Sequence, residues 1–308
     1  MRRMSPSTRI MGGSPADRCR SDAPCLALNA NSSVISICPL PRRKSVRRFP
    51  GREAPRDSEP PTCRFIVYRR SWRESATIRA MDEPALLENI TKLRERVRRS
   101  AEKSQFGNSD ILVLAVSKTR PPEDIRAAYN CGLSDFGENY LQEALSKIAA
   151  LSDLPLTWHF IGPLQSNKTR PVAENFDWVH SVHRARIARR LSDQRPENLA
   201  PLNVCLQVNV SGETSKSGVA PAALEELVVA VRELPRLKLR GLMTIPAATH
   251  HRDEQRRAFG TLRETLDSVR HLAPDMDTLS MGMSADLEAA IAEGATLVRV
   301  GTAIFGPR

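Results

Sequence analysis

Residues 278–302 read Thr278-Leu-Ser-Met-Gly-Met-Ser284-Ala-Asp-Leu-Glu-Ala-Ala-Ile-Ala-Glu-Gly294-Ala-Thr-Leu-Val-Arg-Val-Gly-Thr302. A strand-like run, Thr278–Met281, gives way to a helical pattern, Ala285–Glu293, and then to a second strand-like run, Thr296–Val300. A strand that returns to a strand through a helix makes a parallel pair with the helix on its face.

The same alternation runs back through the chain. Strand-like runs occur at Ile111–Val116, Ser134–Phe136, Leu156–Ile161, Trp178–Ser181, Asn203–Val210 and Lys238–Thr244. Helical patterns separate them at Pro122–Cys131, Tyr140–Ala150, Ser166–Asn175, Arg184–Gln194, Pro221–Glu233 and Arg252–His271. A further amphipathic helix, 83–104, precedes the first strand, with Leu86, Leu87, Ile90, Leu93 and Val97 on one face. Eight strands alternating with seven helices predict an α/β chain folded as a (β/α)8 TIM barrel with an extra N-terminal helix. The alternative is an open doubly wound sheet. That fold favours a glycine-rich loop after its first strand, where this chain has Ser117-Lys118-Thr119-Arg120, and neither GxGxxG nor a P-loop is present.

Charge divides the 308 residues in two. Residues 1–80 hold 17 basic against 6 acidic side chains, a net +11, and residues 81–308 hold 29 of each. The patterned region is therefore neutral and offers no electrostatic case for nucleic acid. Residues 1–80 also hold 9 of the 22 prolines, and their apolar stretches, such as Val34–Leu40, are short and isolated. They read as a disordered basic extension, with three origins open: a basic tail, an organellar targeting segment, or untranslated sequence upstream of Met81. The expected domain is 81–308. No run of about 18 apolar residues occurs, so a protein of the cytoplasm with no membrane partner is expected. Cys19, Cys25, Cys38 and Cys63 lie in the extension at spacings that fit no zinc pattern, and Cys131 and Cys205 suit a reduced compartment. His180 and His183 lack a ligand partner at metal spacing, and His159 reads as a core or rim histidine, so no metal is expected.

In a barrel the chemistry belongs to the loops after the strands. The first strand ends Ile111-Leu-Val-Leu-Ala-Val-Ser-Lys118-Thr-Arg-Pro121, which delivers an ammonium to the lip. It is either a solvated strand end or an amine suited to a Schiff base with an aldehyde such as pyridoxal phosphate. After strand seven, Ser280, Gly282 and Ser284 precede a helix. After strand eight come Gly301 and Thr302. Each alone is a cap or a turn residue, but together they read as an anion cup. Arg299 lies within an apolar strand, either in a structural ion pair or aimed at the pyridine nitrogen of a cofactor. Asn139 caps a helix or faces the aldehyde end, Gln165 and Asn167 are candidates for the mouth, and Met243 could pack on a flat ring.

The runs AVSKTRP, FGENYLQE, WHFIGPLQSNK, VNVSGETSKSG, LRGLMTIP, LSMGMSADLEAAI and RVGTAIFG, in this order, resemble the YggS/PROSC family of pyridoxal phosphate homeostasis proteins, which is related to the N-terminal barrel of alanine racemase. The resemblance covers about Pro84 to Gly306 and implies a fold type III barrel with pyridoxal 5'-phosphate bound covalently to Lys118. It implies that Asn139, Met243, Ser280, Gly282, Ser284, Arg299, Gly301 and Thr302 also bind the cofactor. It further implies a role in holding, buffering or delivering pyridoxal phosphate, with apo-enzymes as recipients and no catalytic residue. The alternative is an amino-acid racemase of the alanine racemase type. That chemistry uses a second base from an additional C-terminal domain, and the chain ends soon after Thr302. A monomer is expected.

Overall fold

The computed structural model describes residues 82–107, 110–213 and 216–307. The reading of residues 1–80, with its four cysteines, lies outside the described residues.

Eight parallel strands close into a barrel in sequence order. They are β1 (Leu112–Val116), β2 (Asp135–Glu138), β3 (Thr157–Phe160), β4 (Trp178–Val182), β5 (Leu202–Gln207), β6 (Leu237–Met243), β7 (Thr278–Ser280) and β8 (Leu297–Val300). The ring shuts where β1 pairs with β8, Leu114 opposite Arg299 and Ala115 opposite Val300. Helices α1 (Glu83–Glu102), α2 (Pro122–Asn130), α3 (Leu141–Ala150), α4 (Thr169–Asn175), α5 (Ala185–Gln194), α6 (Leu224–Arg232), α7 (Arg252–Val269), α8 (Leu287–Ala292) and α9 (Thr302–Phe305) surround it. Among the described residues, no helix is long and apolar enough to cross a membrane.

Burial explains the elements. Leu86, Ile90, Leu93 and Val97 recur every three or four residues and are the buried stripe of α1. Leu87, expected on that face, is 50% exposed because one residue turns a helix by about 100°. Val113, Ala115 and Ser117 have outward parity along β1, and Leu114 and Val116 inward parity. Gly137 confirms the inner face: a Cβ there would come within 3.2 Å of Leu114 and Ile161 side chains.

Three expected helices begin two or three residues late. Ser166–Lys168 and Pro221–Ala223 are 3-10 turns leading into α4 and α6. Expected from Ala285, α8 starts at Leu287, because the Asp286 carboxylate takes the N–H of Met283 at 2.5 Å and holds residues 283–286 as a turn.

Candidate functional site

The turn after β1 is gripped from outside the barrel. Lys147 of α3 is buried, and its ammonium donates to the Ser117 carbonyl (2.7 Å), to Glu138 (2.7 Å) and to Glu143 (2.6 Å). Those three bonds use all three N–H donors of a lysine. The Ser117 hydroxyl donates to the same Glu138 oxygen at 2.6 Å, and the Thr119 N–H donates to Glu143. Burial pushes the Glu138 carboxyl above the usual range, and Lys147 and Ser117 pull it only partly back. Thr119 has φ 65°, a left-handed conformation that costs a β-branched residue about 1–3 kcal/mol. The clamp therefore fixes both neighbours of Lys118 in a strained turn. Lys118 itself is half-buried, two residues beyond Val116, on the inward side by the two-residue period of the strand.

Across the β1–β8 seam, Arg299 is gripped from inside the barrel. Its Nη1 donates to the Ser280 carbonyl (2.6 Å) and hydroxyl (2.8 Å), and its Nη2 donates to the Thr244 carbonyl (2.8 Å). Burial pushes the guanidinium down to about 10, so it remains a cation at neutral pH. No carboxylate is hydrogen-bonded to it among the described residues; carbonyl dipoles and one hydroxyl hold it.

Asn139 follows β2. Gly162, in the loop after β3, packs so closely on it that a Cβ would stand 2.1 Å from the Asn139 carbonyl oxygen. That contact fixes the Asn139 backbone. Its side-chain Oδ1 is buried with no hydrogen-bond partner among the described residues, an arrangement that costs about 1–3 kcal/mol unless something binds there.

The two loops expected to form an anion cup do meet: the Ser284 hydroxyl accepts the Ala303 N–H at 3.4 Å. Ser284 and Gly301 are half-buried and Thr302 is exposed at the rim. Gly282 has φ 90°, and its Cβ would come 2.6 Å from the Ala290 side chain. The close approach it permits is to α8 rather than to a ligand. At six residues, α8 is also too short to lend a strong dipole to the cup.

Nine expected residues thus lie at the C-terminal ends of five strands that are consecutive around the closed ring. Met243 ends β6; Ser280, Gly282 and Ser284 follow one another on β7 and its loop; Arg299, Gly301 and Thr302 end β8; Lys118 ends β1; and Asn139 ends β2. Met243 is buried, and the mouth candidates Gln165 and Asn167 are exposed on the loop after β3. A cavity of about 1120 Å³ lies outside the barrel between α1, α7, α8 and the loop at 245–250. Another, of about 580 Å³, lies under α1 at the N-terminal ends of β1 and β2.

Sequence reasoning missed the residues that support Arg299. His180 of β4 bonds the Ser280 hydroxyl at 2.8 Å, and its other nitrogen bonds His159 of β3 at 3.0 Å. His159 in turn bonds Asp135 of β2 at 3.1 Å. Inward parity on neighbouring strands was the available signal. His183, three residues beyond His180, bonds a backbone carbonyl instead, and among the described residues no group of three such side chains is placed to hold a metal ion.

Known proteins carry the same architecture. The family model described as "Alanine racemase, N-terminal domain" matches residues 81–308. The pyridoxal phosphate homeostasis protein of Pseudomonas aeruginosa is 61% identical over 223 residues, 72% of this chain and 96% of that protein. Its Escherichia coli K12 counterpart is 50% identical over 223 residues, 71% of this chain and 95% of that protein. The structure of PipY from Synechococcus elongatus with PLP bound superposes with a TM-score of 0.63 at 38% identity, covering 72% of this chain and 100% of that one.

Proposed function

The chain belongs to the alanine racemase N-terminal domain family and, within it, to the pyridoxal phosphate homeostasis proteins, and from that premise we propose that it binds pyridoxal 5'-phosphate at the barrel mouth and buffers or delivers it, holding it on Lys118. The observation that carries this reading is the convergence of an amine, a buried guanidinium and an unpartnered amide oxygen on adjoining strands. These are Lys118 on β1, Arg299 on β8 and Asn139 after β2. They suit the three functional edges of a phosphorylated pyridine aldehyde.

Bound there, the cofactor supplies an electrophilic aldehyde. Lys118 would supply the neutral amine for it, with one water leaving as one C=N bond forms. Arg299 is a cation at neutral pH with donors only, so it would donate to the ring nitrogen and keep it unprotonated. A ring so held is a weak electron sink, which favours retention and release over carbanion chemistry. The Ser284 hydroxyl, Gly301 and Thr302 are the groups we assign to the phosphate. Ser280 we assign to Arg299, because both of its oxygens already accept from that guanidinium.

The test is spectroscopic. Protein mixed with pyridoxal 5'-phosphate should turn yellow, borohydride should fix the cofactor to the peptide containing Lys118, and Lys118→Ala should lose both signals. Fixation at another lysine, or a wild type that stays colourless, would overturn the reading. Transfer to an apo-enzyme in the presence of a scavenger of free aldehyde then separates delivery from simple storage.

A further inference from the structure

We infer that Asp135, His159 and His180 are positioning residues for Arg299, joined to it through Ser280 by a hydrogen-bond chain that crosses the barrel interior and points in one direction only. The inference rests on the assignment of Arg299 to the cofactor ring made above. Its links are Arg299 to the Ser280 hydroxyl (2.8 Å), Ser280 to His180 Nδ1 (2.8 Å), His180 Nε2 to His159 Nδ1 (3.0 Å) and His159 Nε2 to Asp135 Oδ1 (3.1 Å). Both imidazoles and Ser280 are fully buried, whereas Asp135 is only partly so. Asp135 is the first residue of β2 and lines the cavity under α1, so the chain connects opposite ends of the barrel.

Its direction follows from the ends. Arg299 can only donate, and an ionised Asp135 can only accept. His159 must therefore carry its proton on Nε2. Being neutral, it accepts at Nδ1, which places the His180 proton on Nε2. His180 then accepts at Nδ1, which takes the one hydrogen of the Ser280 hydroxyl. The Ser280 oxygen is left with lone pairs, and one of them receives Arg299. Every donor points toward Asp135.

The surroundings keep it so. Burial, opposed only in part by Asp135, holds His159 below the usual histidine range, and burial with the neighbouring His159 and Arg299 holds His180 well below it. Burial works to raise Asp135, but the His159 and Ser134 hydrogen bonds outweigh it, and the carboxyl stays ionised. His159 also stacks on Trp178, with centroids 5.4 Å apart and planes 9° from parallel, and Arg240 covers Trp178 at 4.9 Å. The imidazole therefore cannot flip without breaking that stack. A chain of dipoles aligned between a cation and an anion is mutually reinforcing. It fixes the guanidinium plane while adding no formal charge beside it.

The experiment uses the full chain labelled with 15N-histidine. Only two of its six histidines, His159 and His180, are fully buried, so their ring N–H protons exchange slowly and stand apart. At pH 7, before cofactor is added, both should be neutral and protonated at Nε2 alone. Asp135→Asn offers a donor as well as an acceptor, so the His159 proton should no longer be confined to Nε2. After loading, the same variant should shift the visible absorption maximum and weaken cofactor retention by roughly tenfold. Asp135→Glu, which keeps the charge, should restore the wild-type spectrum. An Nδ1 proton on either buried histidine in the wild type overturns the inference whether or not the variants fold. So does an Asp135→Asn protein whose tautomers and absorption maximum are unchanged. A wild type with the expected tautomers that never develops the yellow band fails the cofactor assignment instead, and the positioning role falls with it.

Discussion

The two sides of the barrel mouth are held by opposite means. On the β1–β2 side, a lysine and two glutamates outside the strand wall clamp the turn that carries Lys118. On the β7–β8 side, neutral imidazoles and a hydroxyl inside the wall support Arg299. Each arrangement suits the group it serves. A strained turn under an amine needs strong, directional restraint, and ion pairs between wall and helix provide it without adding charge to the interior. A cation already buried in the barrel gains orientation from neutral donors and acceptors, where a contacting carboxylate would weaken its donation to a ligand.

Removing one charge from the outer clamp should therefore do the most damage. Lys147→Met leaves Glu138 buried without its cation and should cost about 3–5 kcal/mol in denaturant unfolding. Adding Glu138→Gln should recover part of that loss, because the stranded charge goes with it. A single variant costing under 1 kcal/mol would mean that the clamp is no stronger than a surface pair.

The inner support should announce itself through pH. His159 and His180 have folded-state pKa values below the unfolded value, so unfolding takes up protons once pH falls under about 6.5. Their contribution to stability is complete above that value and is lost as pH falls from it toward the folded values. The slope is up to about 1.4 kcal/mol per pH unit for each histidine. Stability measured between pH 7 and 5 should show it, and His180→Gln should roughly halve it. A wild-type profile already flat over that range would deny that the two rings are neutral.

Finer resolution comes from the strained residue. Thr119→Gly removes the left-handed penalty but adds unfolded-state freedom, and the N–H to Glu143 is kept. A net gain of about 0.5–1 kcal/mol is expected. A loss would show that the Thr119 side chain, rather than the clamp, sets the turn.

Much of this was legible in the chain. Apolar runs ending in Lys118, in Ser280 and around Arg299 announce strands whose ends the structure brings to one side of the ring, and counting strand–helix alternations closes the barrel. The supports were hidden for a physical reason. His180 and Ser280 stand 100 positions apart in sequence, and what brings them together is inward parity plus barrel closure, which no local spacing encodes. Lys147 was hidden differently. It sits on the core-facing side of α3, where Glu143 of its own helix is one partner but the Ser117 carbonyl and Glu138 are supplied from the ends of β1 and β2. Local chemistry also misled at Asp286, an apparent first-turn acid of α8 whose carboxylate instead holds the preceding turn.

The seam where β8 returns to β1 also gives the pocket a history. During synthesis the ribosome releases Lys118 well before Arg299, with six intervening strands still to be threaded. No half-made chain can present both walls of the mouth. On the function proposed above, a nascent polypeptide would meet the aldehyde only as an ordinary amine, and selective capture would begin with ring closure.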